Sequence, residues 1–363
     1  MTSIRWVLLL VLAGCGADSG SNTDGSQTLG DMAAPPGSDL SAPPGSDLST
    51  PQSTDMAFVV GSDSFPSTAP WYQKVTGATA LATSKTITDH LTSAGWGSLG
   101  IDVSFAILHA DASVTRRSYT TNGAYYDPDC DHAPVPIPVG GAVENYPLNG
   151  YTCGGGDCHL IVFQGTRLYE LSVANITGGM ATGGTFTGGC LAIWDLTKDY
   201  WTATTPYSRG EQCTSADAAG FPMAPLLLTA ADINSGVIKH ALRFTLDNSL
   251  IRDSSYVHPA THSTSAPGGA SGGSNTMPYG SRLRLKPGAY PSITGKGQIV
   301  VKALQDYGMF MADGGSLFIS GTSDLAGLVG NSTVSSLTAG DFEILDATPL
   351  TWTGDCMRTP LTN

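Results

Sequence analysis

The sequence predicts a mainly β domain, sandwich or jelly-roll-like, carrying a few short helices. Three observations lead there: many short runs of β-prone residues, frequent glycine at 45 of 363 positions, and few segments with helical period. Charged residues make up only 13% of the chain, which leaves its surface to Ser, Thr, Asn and Gly.

Residues 1–14 hold a single positive charge, Arg5, and then an apolar run ending in Leu12-Ala13-Gly14-Cys15. That run is too short to span a bilayer as a mature helix, and small residues precede the cysteine, so it is expected to be an export signal. Leu-Ala-Gly-Cys resembles the lipobox of bacterial lipoproteins. The resemblance implies that Cys15 is the lipidated first residue of the mature chain, and Gly16 after it implies delivery to the outer membrane or cell surface.

Residues 15–67 are expected to form a lipid-anchored, disordered linker, because Gly, Ser, Asp, Pro and Thr bury too little surface to offset ordering entropy. Ala34-Pro-Pro-Gly-Ser-Asp-Leu-Ser41 recurs unchanged at residues 42–49, a unit too short for a solenoid. At roughly 3 Å per residue, the extended tether reaches up to about 150 Å from its lipid.

Residues 68–363 suffice for one large β-rich domain or two closely packed lobes. The net charge of −13 argues against nucleic-acid binding and against docking on anionic lipid, so membrane contact is expected only through the anchor. Seven cysteines less Cys15 leave an even number, which in an exported chain implies three disulfides. The expected pairs are Cys153 with Cys158, Cys190 with Cys213, and Cys130 with Cys356. Zinc is disfavoured because no pair of Cys-x-x-Cys motifs occurs.

Within the domain, residues 84–95 predict a helix with Ser84 as cap and Gly95 as stop. Residues 103–108 predict a strand, and 160–163 with 167–173 a hairpin about Gln164 and Gly165. Residues 185–194 predict one strand ending at Asp195. Over 237–246 the alternation puts Ile238, His240, Leu242, Phe244 and Leu246 on one face and Lys239, Arg243 and Thr245 on the other. His240 is thus expected toward the core and Arg243 away from it. Arg282, Arg284 and Lys286 share a strand face opposite Leu283 and Leu285. Residues 298–307 predict a second helix, stopped by Gly308, and 309–312 with 316–320 a further hairpin about Asp313-Gly-Gly.

Several motifs in one order, Gly-Gly-Cys190-Leu-Ala-Ile-Trp194-Asp195, Thr214-Ser-Ala-Asp217-Ala-Ala-Gly220, His240-Ala-Leu-Arg243-Phe244, Tyr256-Val-His258-Pro-Ala-Thr-His262 and Tyr307-Gly-Met-Phe-Met-Ala-Asp313, resemble a group of exported soil-bacterial β-rich proteins. The resemblance spans residues 71–345 and implies no particular reaction. A polysaccharide substrate follows only by analogy from export and β-architecture.

Each candidate has a functional and a structural reading. Asp217 follows Thr214 and Ser215 at a spacing that suits a helix N-terminus, or it is a catalytic carboxylate. Asp195 ends a strand beside Trp194, as a turn residue or a cleft acid. Glu170 interrupts an apolar strand, where burial without partners is costly, so it faces either a cleft or solvent. Tyr256, His258 and His262 lie in a proline-containing stretch. A Gly/Ser-rich loop at 263–275 leads from it to Tyr279, Arg282 and Arg284.

Two function classes follow. The first is a surface lipoprotein that cleaves a glycan, by hydrolysis with carboxylates among Glu170, Asp195 and Asp217, or by elimination with Tyr256, His258 or His262 as base and Arg243, Arg282 or Arg284 neutralising a uronate. The second is a non-catalytic carbohydrate-binding or surface-interaction protein that stacks sugars on Trp194, Tyr200 and Trp201. No cofactor is expected; His240, His258 and His262 are the alternative metal ligands.

Overall fold

Strands dominate the computed structural model, which describes residues 63–362 apart from 124–125, 146–147, 179–183, 203–205, 265–268, 271–272 and 274. The signal segment, Cys15, most of the linker and half of the 263–275 loop therefore lie outside the described residues. The expected mainly β architecture with a few short helices is what the described chain has.

The larger sheet has six strands in the order Gly100–Phe105, Phe318–Thr322, Leu242–Leu246, Met309–Gly314, Arg282–Leu285 and Phe342–Ile344. It is mixed: the first two strands are parallel, as are Leu242–Leu246 and Met309–Gly314, and the other neighbours are antiparallel. A four-stranded sheet runs Leu191–Asp195, Arg167–Leu171, Leu160–Gln164 and Ile107–Ala110. Its residues alternate between two cores. Ile161, Phe163, Leu168, Ala192 and Trp194 join the core shared with the six-stranded sheet, while Leu160, Val162, Tyr169, Leu171, Leu191 and Ile193 fill a second cluster. With both faces covered, these strands are apolar almost without interruption.

Among the described residues, three α-helices brace the sheets. Ser84–Ala94 stops at Gly95, whose φ of 99° is left-handed, and it buries Ile87 and Leu91. Ser84 is the first helical residue rather than the cap, and its Oγ accepts from Ile344 N (2.9 Å), tying the helix to the sheet edge. Gly297–Asp306 ends before Gly308 as expected; a Cβ on Gly308 would lie 2.4 Å from the Leu283 carbonyl oxygen. Ala230–Ser235 was not expected, although Thr229, Asp232 and Gly236 form a capping box and a left-handed stop that the sequence displays.

Four strand expectations need correction, each because local periodicity cannot show a change of partner. Residues 103–108 break at Ala106, with Gly100–Phe105 and Ile107–Ala110 in different sheets. Residues 185–194 break at Gly189 and Cys190 into Phe186–Gly188 and Leu191–Asp195, again in different sheets. In 237–246 the strand begins only at Leu242. Residues 309–320 form no hairpin, since Leu242–Leu246 runs between the two strands they supply.

The disulfides are Cys153–Cys158, as expected, with Cys130–Cys190 and Cys213–Cys356 in place of the other two pairs. Asp131 explains the first exchange. Its backbone N donates to Leu191 O (2.8 Å) and its Oδ2 accepts from Ile193 N (2.9 Å), which sets Cys130 beside Cys190. Cys213 is thereby left to fasten the C-terminal segment. The packed chain begins earlier than residue 68, because Phe65 is buried against Trp71 (5.4 Å), Trp201 (5.4 Å) and Trp194 (6.0 Å).

Candidate functional site

Arg243 lies on a central strand of the mixed sheet and is 2% exposed, contrary to the expectation that it points to solvent. Alternation implies a wet face only where nothing covers it, and here the 214–222 segment does. That segment is a turn rather than a helix start. Asp217 N donates to Ser215 Oγ (3.0 Å), Ser215 Oγ donates to Phe221 O (2.7 Å), and Asp217 Oδ2 accepts from Ala219 N (3.2 Å) and Phe221 N (3.4 Å). Arg243 Nη2 donates to Asp217 Oδ1 at 2.6 Å and its Nη1 to Ser320 Oγ at 2.7 Å. Asp313, at the end of the neighbouring parallel strand, stands 3.9 Å from the guanidinium.

A second pair adjoins this one. His159 Nδ1 donates to Glu144 Oε2 (2.5 Å) and its Nε2 to Ala216 O (3.1 Å), while Ser104 Oγ contacts Asp102 (2.8 Å) and Glu144 (3.1 Å). Glu170 lies behind, fully buried, accepting from Trp194 Nε1 (3.0 Å), Met223 N (2.8 Å) and Ala224 N (2.9 Å). It faces neither cleft nor solvent; three donors make up for the water it loses.

Electrostatics ties these groups together. Burial and the charge of Asp217 push Asp313 up to about 7. Burial raises Asp102 too, and lifts Glu170 to about 7. Burial also raises Asp217, though Arg243 pulls it back. Glu144 moves the other way. Burial would raise it, but the imidazolium of His159 outweighs that and leaves it below the usual carboxylate range. In return, Glu144 overcomes the burial penalty on His159 and lifts it to about 9. Tyr279, expected as a binding residue, is buried beside this network and raised by burial, so it stays a neutral phenol.

The network is dry at its base and wet at its edge. The Asp217 and Arg243 side chains are 0% and 3% exposed, whereas Glu144 and Asp313 are 15% and 23% exposed and Asp157 is open to solvent. It therefore offers one carboxyl that carries a proton near neutrality and another that does not, both within reach of one guanidinium. Glu144, Asp157 and His159 have ligand atoms close enough to share a cation. His159, however, donates from both ring nitrogens, and an imidazolium has no lone pair for a metal.

Of the expected site residues, Glu170, Asp217, Arg243 and Tyr279 meet here; the others do not. Asp195 accepts from Thr197 N (3.0 Å) and Thr197 Oγ1 (2.7 Å) in a surface turn. Trp194, Tyr200 and Trp201 pack in the core with Phe65, so they offer no stacking platform. Arg282 holds the backbone oxygens of Pro70, Gln73 and Tyr307 and lies over the Phe310 ring, while Arg284 holds Glu343 and Val75 O; both fasten the start of the domain. His240 bonds Ala241 O and contacts Asp232 (3.4 Å). His262 donates to Ala218 O (2.9 Å) and packs edge-on to Trp352.

Tyr256 and His258 do come together, on Glu211. The phenol donates to Oε2 and the imidazole to Oε1, each at 2.6 Å, and His258 stacks on Tyr207 with centroids 3.7 Å apart. His262 is not part of that cluster, so the three expected bases do not share a site. Asp102, Ser104, Glu144, His159, Glu211, Asp313 and Ser320 were missed. Asp102 and Ser104 left a trace, as polar residues alternating on an otherwise apolar strand, and Asp313 closed one of the quoted motifs without being assigned a role.

The chain matches no protein-family model, no curated protein and no solved structure.

Proposed function

We propose that this domain hydrolyses an extracellular glycan at the edge of the buried network, from a cell-surface position set by lipidation of Cys15. One observation carries the reading: Asp313, raised to about 7, and Glu144, held low, both lie within the field of Arg243 and both retain solvent access. Asp313 is the proton donor to the leaving oxygen, and Glu144 the base or nucleophile. Arg243 and Asp217 fix the floor and hold those two acidities apart.

Hydrolysis is favoured over elimination. Eliminating a uronate requires a cation to neutralise its carboxylate, and here Arg243 is bonded to Asp217 and His159 to Glu144. With the cations committed to Asp217 and Glu144 and the exposed Asp157 at the same edge, nothing there compensates a uronate's charge, so the unit placed at the point of cleavage is neutral. The buried aromatics weigh against the purely sugar-binding reading.

The test is a panel of polysaccharides scored for new reducing ends and for absorbance of unsaturated products. Asp313→Asn and Glu144→Gln should each lower kcat by about 10²–10⁴ in a folded protein. In the wild type, activity should fall as pH rises through about 7, where Asp313 loses its proton. Unsaturated products, or full activity in both variants, would refute the assignment.

A further inference from the structure

A second feature lies apart from the network. Beside the C-terminal segment is a cavity of about 770 Å³, lined among others by Arg167, Lys198, Arg209, Arg358, Asp195 and Tyr200. In a chain of net charge −13, four cations on one cavity wall are a local reversal of sign. Among the described residues the cavity's only lining carboxylate is Asp195, opposite Arg167 across the strand pair. A second carboxylate, Asp131, lies beneath it and is wholly buried.

Asp131 builds the floor. Its Oδ2 accepts from Arg209 Nη2 (2.8 Å) and its Oδ1 from Arg358 Nη2 (2.5 Å), and backbone N–H groups of Ile193 and Leu361 complete its shell. Two guanidiniums thus share one carboxylate and are further held by the backbone oxygens of Pro128, Asp129 and Thr214. Burial pushes the nearby Asp129 carboxyl up, which reduces what it can neutralise. Arg209 Nε, buried, has no hydrogen-bond partner among the described residues. The Cys213–Cys356 disulfide and the Leu361–Asp131 bond pin the segment that carries Arg358. Lys198 Nζ stands 4.7 Å from the Tyr200 ring centroid, and the one described carboxylate whose charge reaches both Lys198 and Arg167 is Asp195, which two cations outnumber.

Asp131 offsets part of the charge of Arg209 and Arg358, whose guanidiniums are largely spent on it and on backbone oxygens, so Arg167 and Lys198 are the cations open to a ligand; an anion between them relieves their repulsion, and a guanidinium such as that of Arg167 matches carboxylate and sulfate oxygens. We propose that this cavity binds an acidic saccharide, bearing carboxylate or sulfate groups, at a subsite distinct from the hydrolytic network. The saccharide part rests on the glycan reading above; the anionic part rests on the cavity alone. A glycan with neutral and acidic units would then be held by its acidic unit here and cut at a neutral one.

The experiment is titration calorimetry of the full mature chain with trigalacturonate, a sulfated disaccharide and neutral maltotriose. One of the acidic sugars should bind, weakening as salt rises. Arg167→Ala with Lys198→Ala should weaken it by about tenfold or more, and Asp195→Asn should tighten it. Asp313→Asn should leave binding unchanged, so failure of the hydrolytic reading and failure of this one are distinguishable. Equal binding of maltotriose, no change in the Arg167/Lys198 double variant, or no acidic-sugar binding by folded wild type would each overturn the proposal.

Discussion

Replacing Arg243 by Ala tests the buried network most directly. The substitution leaves Asp217, with no exposed surface, without its cation, and frees Ser320 Oγ from its 2.7 Å donor. It also removes a guanidinium seated 5.7 Å over Phe105. Breaking a buried ion pair by deleting one partner costs about 3–5 kcal/mol, mostly the penalty of the orphaned charge. Urea melts at neutral pH should show that loss. Adding Asp217→Asn to Arg243→Ala should recover about half of it, because an amide still accepts from Ala219 N and Phe221 N without carrying charge. The pH dependence supplies a second check. Without Arg243, burial alone raises Asp217 above its unfolded value, so the folded variant takes up a proton first and gains stability as pH falls, by about 1.4 kcal/mol per unit at most. A cost for Arg243→Ala below about 1 kcal/mol, typical of surface sites, or a double variant no better than the single, would refute the buried-pair reasoning.

Three further outcomes follow from the same structure. Burial lowers His262 from 6.5 to about 4, so its contribution is complete above about 6.5 and is lost as pH falls through about 4. It amounts to about 3 kcal/mol, and His262→Gln should flatten that acid limb in melts recorded against pH. Peptide mapping under non-reducing conditions should recover Cys130–Cys190 and Cys213–Cys356, and removing Cys213–Cys356, which spans 143 residues, should cost about 5 kcal/mol against about 2 for Cys153–Cys158. A chain beginning at residue 63 should melt like the mature protein, whereas one beginning at 68 loses Phe65 from the tryptophan cluster and about 3–5 kcal/mol, as thermal or urea melts will show.

Local features were readable in the sequence and long-range partners were not. The 160–171 hairpin, the helix ending at Gly95 and the helix before Gly308 depend on neighbours in the chain, and all three are present. Arg243 and Glu170 were misplaced for one reason: period-2 alternation separates two faces but does not say whether the polar face is wet, and in a sheet covered on both sides it is not. The network itself unites residues 102, 144, 159, 217, 243 and 313, none of which announces the others. The disulfides failed in the same way. Cys190 and Cys213 are near in sequence, but strand contacts made by Asp131 decide which sulfurs meet.

The cost of the network bears on whether it is functional. A structural ion pair needs partners in balance, yet Asp102, Asp217, Glu144 and Asp313 surround Arg243 with more carboxylates than it and His159 can neutralise. Asp313 shows the consequence: its folded value of about 7 lies above the unfolded 3.8, so its contribution is complete below about 3.8 and is lost as pH rises through about 7. Asp313→Asn removes that liability and should stabilise the domain at alkaline pH by on the order of 2–4 kcal/mol, while abolishing the proposed hydrolysis. Gain of stability with loss of activity is the signature of a residue kept for chemistry. Were Asp313→Asn to lower the alkaline melting temperature instead, Asp313 would be one more structural acceptor, and the hydrolytic assignment would lose its proton donor.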